Sequence, residues 1–328
     1  MKILYAIQGT GNGHLARAED VIPFLKQYGD LDIFVSGAQS DIKLSYPVKY
    51  KSKGLSFYFG KSGGIDFLKT FKNNSSKEVY KEIKKFPAEN YDFVINDFEP
   101  ISAWACRKRE IPCVALSHQS ALLSPKVPKP TTLDPVGEWM LHNYAPADKH
   151  VAFHFEKYDK NIFTPVIRSA IRNCKVEVKD HYTVYLPAYD DRKLVPLLSK
   201  IPVKWHVFSK HTRKAYTSGK VAVYPVNSED FAASMTTSKG VLCGAGFETP
   251  AEALFLKKKL MVVPMQSQLE QFYNAASLKQ LGVPVLKKMR KKNLERIQEW
   301  VDKDDHVVVK FDDVTAEAVS LAVKLAKK

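Results

Sequence analysis

Short apolar runs alternate with longer amphipathic stretches along most of this chain. Lys2 to Ile7 reads as a buried strand, Gly9 to Gly13 as a loop, and His14 to Tyr28 as a helix with apolar residues at helical spacing. Leu31 to Ser36 and Leu55 to Phe59 read as strands, the latter followed by a break at Gly63-Gly64, and Ile65 to Glu89 as helix in two pieces. Asp92 to Asn96 and Pro112 to Leu116 are apolar runs bounded by polar turns. Ser124 to Pro135, rich in proline and polar residues, is a loop, and Val136 to Tyr144 a short helix ending before Pro146. A second set of strands is expected at Val151–Phe155, Tyr182–Leu186, Val203–Phe208, Val221–Pro225, Val241–Cys243 and Leu260–Val263, closed by an amphipathic helix from Val314 to Lys328. Strands alternating with helices predict parallel sheets covered on both faces. The expected fold class is therefore α/β, with two domains, 1–147 and 148–328, facing across a cleft, and a last helix that can pack back on the first domain. Ligands of such sheets bind outside the carboxyl ends of the strands.

The length of 328 residues suffices for two domains with separate cores. No run of about 18 apolar residues occurs, so no membrane-spanning helix is expected. The opening residues, MKILYAIQG, read as a strand and not as a signal peptide. Cys106, Cys113, Cys174 and Cys243 show neither C-x-x-C nor cysteine–histidine spacing, which argues for a reducing compartment and against a disulfide framework or metal cluster. His150, His154, His206 and His211 likewise lack partners at metal-ligand spacing, so no metal site is expected. The formal net charge is +15, with lysines gathered at 49–53, 257–259 and 287–292. These are either solvated faces or a surface for an anionic membrane or anionic substrate. No recognition motif with interleaved aromatics points to nucleic acid. The expected location is cytoplasmic, with the inner membrane face as a peripheral site.

Most of the chemistry lies between Val241 and Gly282. A buried strand ends in the turn Gly244-Ala245-Gly246, which continues through Phe247 and Glu248 to a helix expected to start near Thr249-Pro250. Backbone N–H groups at a helix mouth form an anion seat, and Pro250 suits a first turn. Glu252, about one turn in, reaches a hydroxyl beside a bound phosphate. The next strand, Leu260 to Pro264, brings Gln268, Glu270 and Gln271 to the same rim. Together these give a diphosphate seat, a carboxylate for a ribose diol, and a carboxylate–amide pair for sugar hydroxyls. An ordinary βαβ unit, with glycines that only turn the chain, is the competing reading of the glycines alone.

In the first half, Gln8-Gly-Thr-Gly-Asn-Gly-His14 joins a strand to a helix. Gly9, Gly11 and Gly13, with Asn12 among them, let the backbone approach a ligand. The spacing is not G-x-G-x-x-G, and Asp32 starts a strand where a dinucleotide site needs an acid at a strand end. His14, at a helix start, faces the expected cleft. The helix N-terminus should disfavour its protonated form and leave a neutral imidazole able to take a proton from an alcohol. Helix capping is the alternative. Asp97 or Glu99, after the Asp92 strand, can orient His14 or cap the helix beginning at Pro100.

The string Gly246, Thr249, Glu252, Pro264, Glu270-Gln271, Asn274-Ala275 resembles the donor-nucleotide motif of GT-B glycosyltransferases, especially the MurG-like group and its UDP-glycosyltransferase relatives. The loop GTGNGH-LARA resembles the N-terminal glycine loop and histidine of the same group, and the G-x-G-H-x-x-R signature of related UDP-sugar hydrolases, which Arg17 would complete. The resemblance implies two Rossmann-like domains. It also implies metal-independent transfer of a hexosyl group from a nucleotide diphosphate sugar, UDP-linked by analogy, with no cofactor. The acceptor is unnamed; a lipid-linked molecule or a glycan fits the group. His118 resembles part of a His-Glu-Gln-Asn segment, here without its Glu. Arg168, in Thr164-Pro-Val-Ile-Arg168, corresponds to a family arginine near the donor phosphates, with one extra residue intervening. Ser209 falls where the family puts a hydroxyl near the diphosphate, and Phe231 where it builds the base pocket or, equally, where a core aromatic belongs. Leu55–Gly60 and Ile65–Leu68 are a candidate acceptor surface. Hydrolysis of the nucleotide sugar, or its binding without turnover, are the alternatives.

Overall fold

The computed structural model describes residues 1–10, 12–37, 44–54, 76–131, 134–266 and 268–327. The apolar runs become parallel strands, in which both faces are covered and polar alternation is not required. In the first sheet β1 (Lys2–Gln8), β2 (Asp30–Ser36), β3 (Tyr50–Ser52), β4 (Phe93–Asp97), β5 (Cys113–Ser117), β6 (Lys149–Phe153) and β7 (Ile162–Phe163) lie in the order β3-β2-β1-β4-β5-β6-β7. Every pairing in it is parallel. The strand order reverses between β1 and β4, which opens a crevice outside their carboxyl ends.

The second sheet runs β10 (Tyr216–Ser218), β11 (Val221–Pro225), β9 (Trp205–Ser209), β8 (Tyr182–Tyr185), β12 (Gly240–Cys243), β13 (Lys259–Val262). Only the β10–β11 pairing is antiparallel. Its reversal lies between β8 and β12, so the Gly244 turn opens there. The expected division at 147/148 falls inside the first sheet. β6 pairs in parallel with β5, from Val114↔Lys149 to Ser117↔Ala152, and β7 follows it, so the second sheet begins only at Tyr182.

The helices are α1 (Asn12–Leu25), α2 (Ser76–Lys85), α3 (Pro100–Arg109), α4 (Pro135–Asn143), α5 (Ser169–Arg172), α6 (Asp191–Leu198), α7 (Ser228–Thr237), α8 (Glu248–Phe255), α9 (Leu269–Gln280), α10 (Leu294–Asp302) and α11 (Thr315–Ala326). Their caps are readable in the sequence: Asp134, Asp190 and Asn227 accept backbone N–H groups at the starts of α4, α6 and α7. α11 packs on β4, β5 and β6 and against α1, so the last described helix completes the first domain. Ala318, Val319, Ala322 and Val323, at i, i+1, i+4 and i+5, form its fully buried stripe. The expected strand at 55–59, the Gly63-Gly64 break and the first part of the 65–89 helix lie outside the described residues.

Candidate active site

The two crevices face each other, and a buried polar cluster fills the join. β1 and β4 are neighbours in register, with Ile7 opposite Asp97. The chain leaving β1 enters α1 within a few residues, so His14 and the end of β4 meet. His14 Nδ1 lies 2.8 Å from Asp97 Oδ1. A carboxylate accepts, so Nδ1–H donates and Nε2 carries the lone pair. Nε2 faces the amide of Gln119, at 3.4 Å. Burial works against a charged His14, but the Asp97 charge and hydrogen bond outweigh it and raise the pKa above 6.5. This reverses the expectation from the helix N-terminus alone, because a full charge in contact exceeds a partial helix charge.

Asp97 is wholly buried, and Arg17 donates from one terminal nitrogen to both its oxygens, at 2.8 Å each. Phe98, next in the chain, has φ 56°, the left-handed region that non-glycine residues rarely adopt. That turn sends Asp97 into the crevice and Glu99 back toward α3. The Phe98 ring is held against Tyr144, at 4.9 Å between centroids. Glu99 is therefore no partner of His14. Its carboxylate caps α3, accepting from Ile101 N–H, Ser102 N–H, Ser36 Oγ and Ser102 Oγ. Of the two acids after β4, one belongs to the cluster and the other to the scaffold.

The second domain meets this cluster through the loop after β12. α8 begins at Glu248, one residue before the expected Thr249-Pro250, and Thr249 lies in its first turn. Arg17 donates to Glu248 with its other terminal nitrogen, across 231 residues of sequence. Gly13 is where α1 and Glu248 touch: a Cβ there would lie 2.6 Å from Glu248 Oε2. Asn12 opens α1 beside it, and Gly11 lies outside the described residues. Gly244 and Gly246 are unobstructed, with nothing within 4 Å of a Cβ at Gly246. Ala245 and Phe247 are buried.

Phe247 stacks on His118, 3.8 Å between centroids and 6° between planes. The His118 ring nitrogens lie 2.9 Å from the Phe153 carbonyl and 2.8 Å from Asn274 Oδ1. Burial pushes its pKa down to about 4, so the neutral ring donates to one of these oxygens at a time. Gln119 reaches Glu270, with Nε2 donating at 3.0 Å to Oε2. Glu270 thus faces His14 across the cleft.

Other candidates are engaged differently from expectation. Glu252 is 3% exposed, and Arg168 grips both its oxygens, at 2.8 Å to Oε2. Arg168 thus holds the carboxylate expected for a ribose diol. Gln271 Oε1 accepts from the N–H of Ala245 and of Met265, at 3.1 and 2.9 Å, and its amide nitrogen donates to Gln268. Gln271 therefore ties the two loops together, leaving Glu270 as the side chain of that pair that faces the first domain. Ser209 Oγ donates to Asp191 at 2.6 Å, which fixes the first turn of α6. Phe231 is half-buried between Tyr185 and Phe208, 5.4 Å from each ring, an aromatic wall at the carboxyl end of the second sheet.

Arg17, Gln119, Glu248 and Asn274 join residues far apart in sequence. Arg17 sits one turn beyond His14 on one face of α1, and that i, i+3 spacing is the signal available beforehand. Gln119 follows His118 in Ser117-His118-Gln119, the segment that resembles His-Glu-Gln-Asn without its Glu, and that was its one signal. Among the described residues no three His, Cys, Asp or Glu side chains converge as metal ligands. The sequence holds two Asp-x-Asp strings, a pattern that can bind a divalent ion: Asp30-Leu31-Asp32 and Asp302-Lys303-Asp304. The first begins β2, at the opposite end of the sheet from the cleft, where Asp32 pairs with Lys49 and Tyr91; the second follows the end of α10. No helix among the described residues is long and apolar enough to cross a membrane.

The family described as Glycosyl transferase family 1 matches residues 1–303. None of the curated proteins matches. Solved structures of similar fold include MurG of Acinetobacter baumannii, 15% identical with a TM-score of 0.53 over 99% of this chain and 94% of that one. Arabidopsis thaliana UGT89C1, in complex with quercetin, is 13% identical with a TM-score of 0.61 over 99% and 93%. A Polygonum tinctorium UDP-glucosyltransferase capable of glucosylating indoxyl is 13% identical with a TM-score of 0.59 over 100% and 98%. The fold is GT-B: two Rossmann-like domains across a cleft.

Proposed function

The chain belongs to glycosyl transferase family 1, and from that premise we propose that it transfers a hexosyl group from a UDP-linked sugar to an acceptor hydroxyl without a metal ion. The carrying observation is the His14–Asp97 pair, whose Nε2 meets the Gln119 amide at the join of the two crevices, with Glu270 on the far side of that amide. The Gln119 amide holds the position an acceptor hydroxyl would take. The hydroxyl proton passes to His14 Nε2 as its oxygen bonds the anomeric carbon. The bond from that carbon to the diphosphate oxygen breaks, and UDP leaves. Asp97 stabilises the imidazolium. Gly246 and the mouth of α8 offer N–H groups to the leaving diphosphate, while those of Gly244 and Ala245 donate to the Tyr185 carbonyl and Gln271 Oε1. Arg168 and Glu252 stand on the same side for phosphate and ribose, Phe231 for the base, and Glu270 for the sugar.

Lys258 and Lys259 are buried, with Nζ on the carbonyls of Glu177 and of Val301 and Lys303, so the group at 257–259 is no surface patch. The largely exposed group at 287–292 fits peripheral contact with an anionic membrane at its cytoplasmic face. A lipid-linked or glycan acceptor accords with that location. The candidate acceptor surface at 55–60 and 65–68 lies outside the described residues.

The test is turnover of UDP-sugars by wild type, His14→Ala and His14→Asn. Both variants should lose about 10²–10⁴ in rate while binding UDP within a few-fold. Near-normal turnover by His14→Asn would remove His14 as the base. Free sugar formed at catalytic rates without acceptor would replace transfer by hydrolysis.

A further inference from the structure

Arg17 is 2% exposed, and its guanidinium lies 5.9 Å from the Phe153 ring centroid. One terminal nitrogen donates to both oxygens of Asp97 and the other to Glu248. The same guanidinium stands 3.2 Å from His14 Nδ1. Asp97 Oδ1 is thus shared between His14 and Arg17. Glu248 begins α8, at the mouth that would receive the diphosphate, and is a quarter exposed. Arg17 bridges the proton-accepting side of the cleft and the anion seat.

We infer that Arg17 is a positioning residue that couples the mouth of α8 to the His14–Asp97 pair by gripping an anion on each side. The inference rests on the reading of His14 as the base. Around His14 stand Asp97 from β4, Arg17 from its own helix, Glu248 from α8, and Gln119 after β5, which carries Glu270 behind it. The two anions Asp97 and Glu248 favour the protonated ring, and Arg17 opposes it. A diphosphate at the same mouth adds negative charge beside Arg17. That favours the imidazolium His14 becomes on accepting the proton, so donor binding prepares the base.

The test is the titration of His14 ring protons by NMR in the full chain, which reads no turnover. The set is wild type, Glu248→Gln and Arg17→Gln, each with and without UDP. Glu248→Gln should lower the His14 midpoint by about one pH unit, and Arg17→Gln should raise it by a similar amount. UDP should raise the wild-type midpoint, and by less in Arg17→Gln. Midpoints that stay at the wild-type value in the variants, with only thermal stability changed, would make Arg17 a structural residue and overturn the inference. Should Arg17→Gln fail to fold, Glu248→Gln decides alone. Midpoints that move while His14→Asn keeps its turnover would uphold the coupling and reject the base.

Discussion

Replacing Gly13 with alanine sets two effects of similar size against each other. Gly13 lies in the first turn of α1 in helical backbone, so alanine fits its dihedrals. Restricting the unfolded chain should then stabilise the protein by about 0.4–1 kcal/mol. Against this, the new Cβ would lie 2.6 Å from Oε2 and 2.9 Å from Cδ of Glu248, so the carboxylate must move. Moving it breaks the charge-assisted bond from Arg17, which contributes roughly 1.5–3 kcal/mol. Glu248 is 25% exposed and can turn into water, which places the loss at the low end of that range. The net effect is destabilisation by about 1 kcal/mol. In a Glu248→Ala background the obstruction is gone and only the favourable part remains, so the same substitution changes sign. Urea unfolding of the four proteins of this cycle measures the coupling, expected near 1.5–2 kcal/mol. An equal effect of Gly13→Ala in both backgrounds would refute the argument.

Glu99→Ala strips four donors of their acceptor and should destabilise by about 3 kcal/mol or more. The pH dependence of turnover should keep its shape, and a displaced ascending limb would put Glu99 back beside His14. Glu252→Ala leaves Arg168 unpaired. Since Arg168 is 22% exposed and can rehydrate, the loss in urea unfolding should be about 2–3 kcal/mol, below the usual figure for a broken buried pair. UDP affinity measured by calorimetry should fall as well; unchanged affinity would separate Glu252 from the ribose. The His14 pKa is raised above 6.5 in the folded protein, so its contribution is complete below 6.5 and fades as pH rises through the folded value. The stability gap between wild type and His14→Asn should therefore narrow from pH 6 to pH 9, and a constant gap would deny the charged pair.

The sheet strands were legible because both faces of a parallel sheet are covered, so β1, β4, β5, β12 and β13 appear as unbroken apolar runs. β3, β7 and β10 were not: each has only two or three residues, and none of the three residues of β10 is buried. The domain division was misplaced because nothing local in Lys149–Phe153 says which sheet will accept it. His14 and Asp97 were legible because one follows β1 and the other ends β4, the two strands between which strand order reverses. The status of Glu99 turned on one backbone angle at Phe98, which no side chain announces. Partners for Arg17, Gln271 and His118 were hidden in a different way: they are set by how two domains meet.

The return of α11 to the first sheet has a consequence for biosynthesis. Its buried stripe covers strands made some 160 or more residues earlier. During translation the amino-terminal half thus emerges without its final cover, and must wait while the entire second domain is synthesised. At the usual 5–20 residues per second this delay is on the order of ten seconds or more. The apolar face that α11 covers stays open for that interval. The first domain would close only after the second had had time to form.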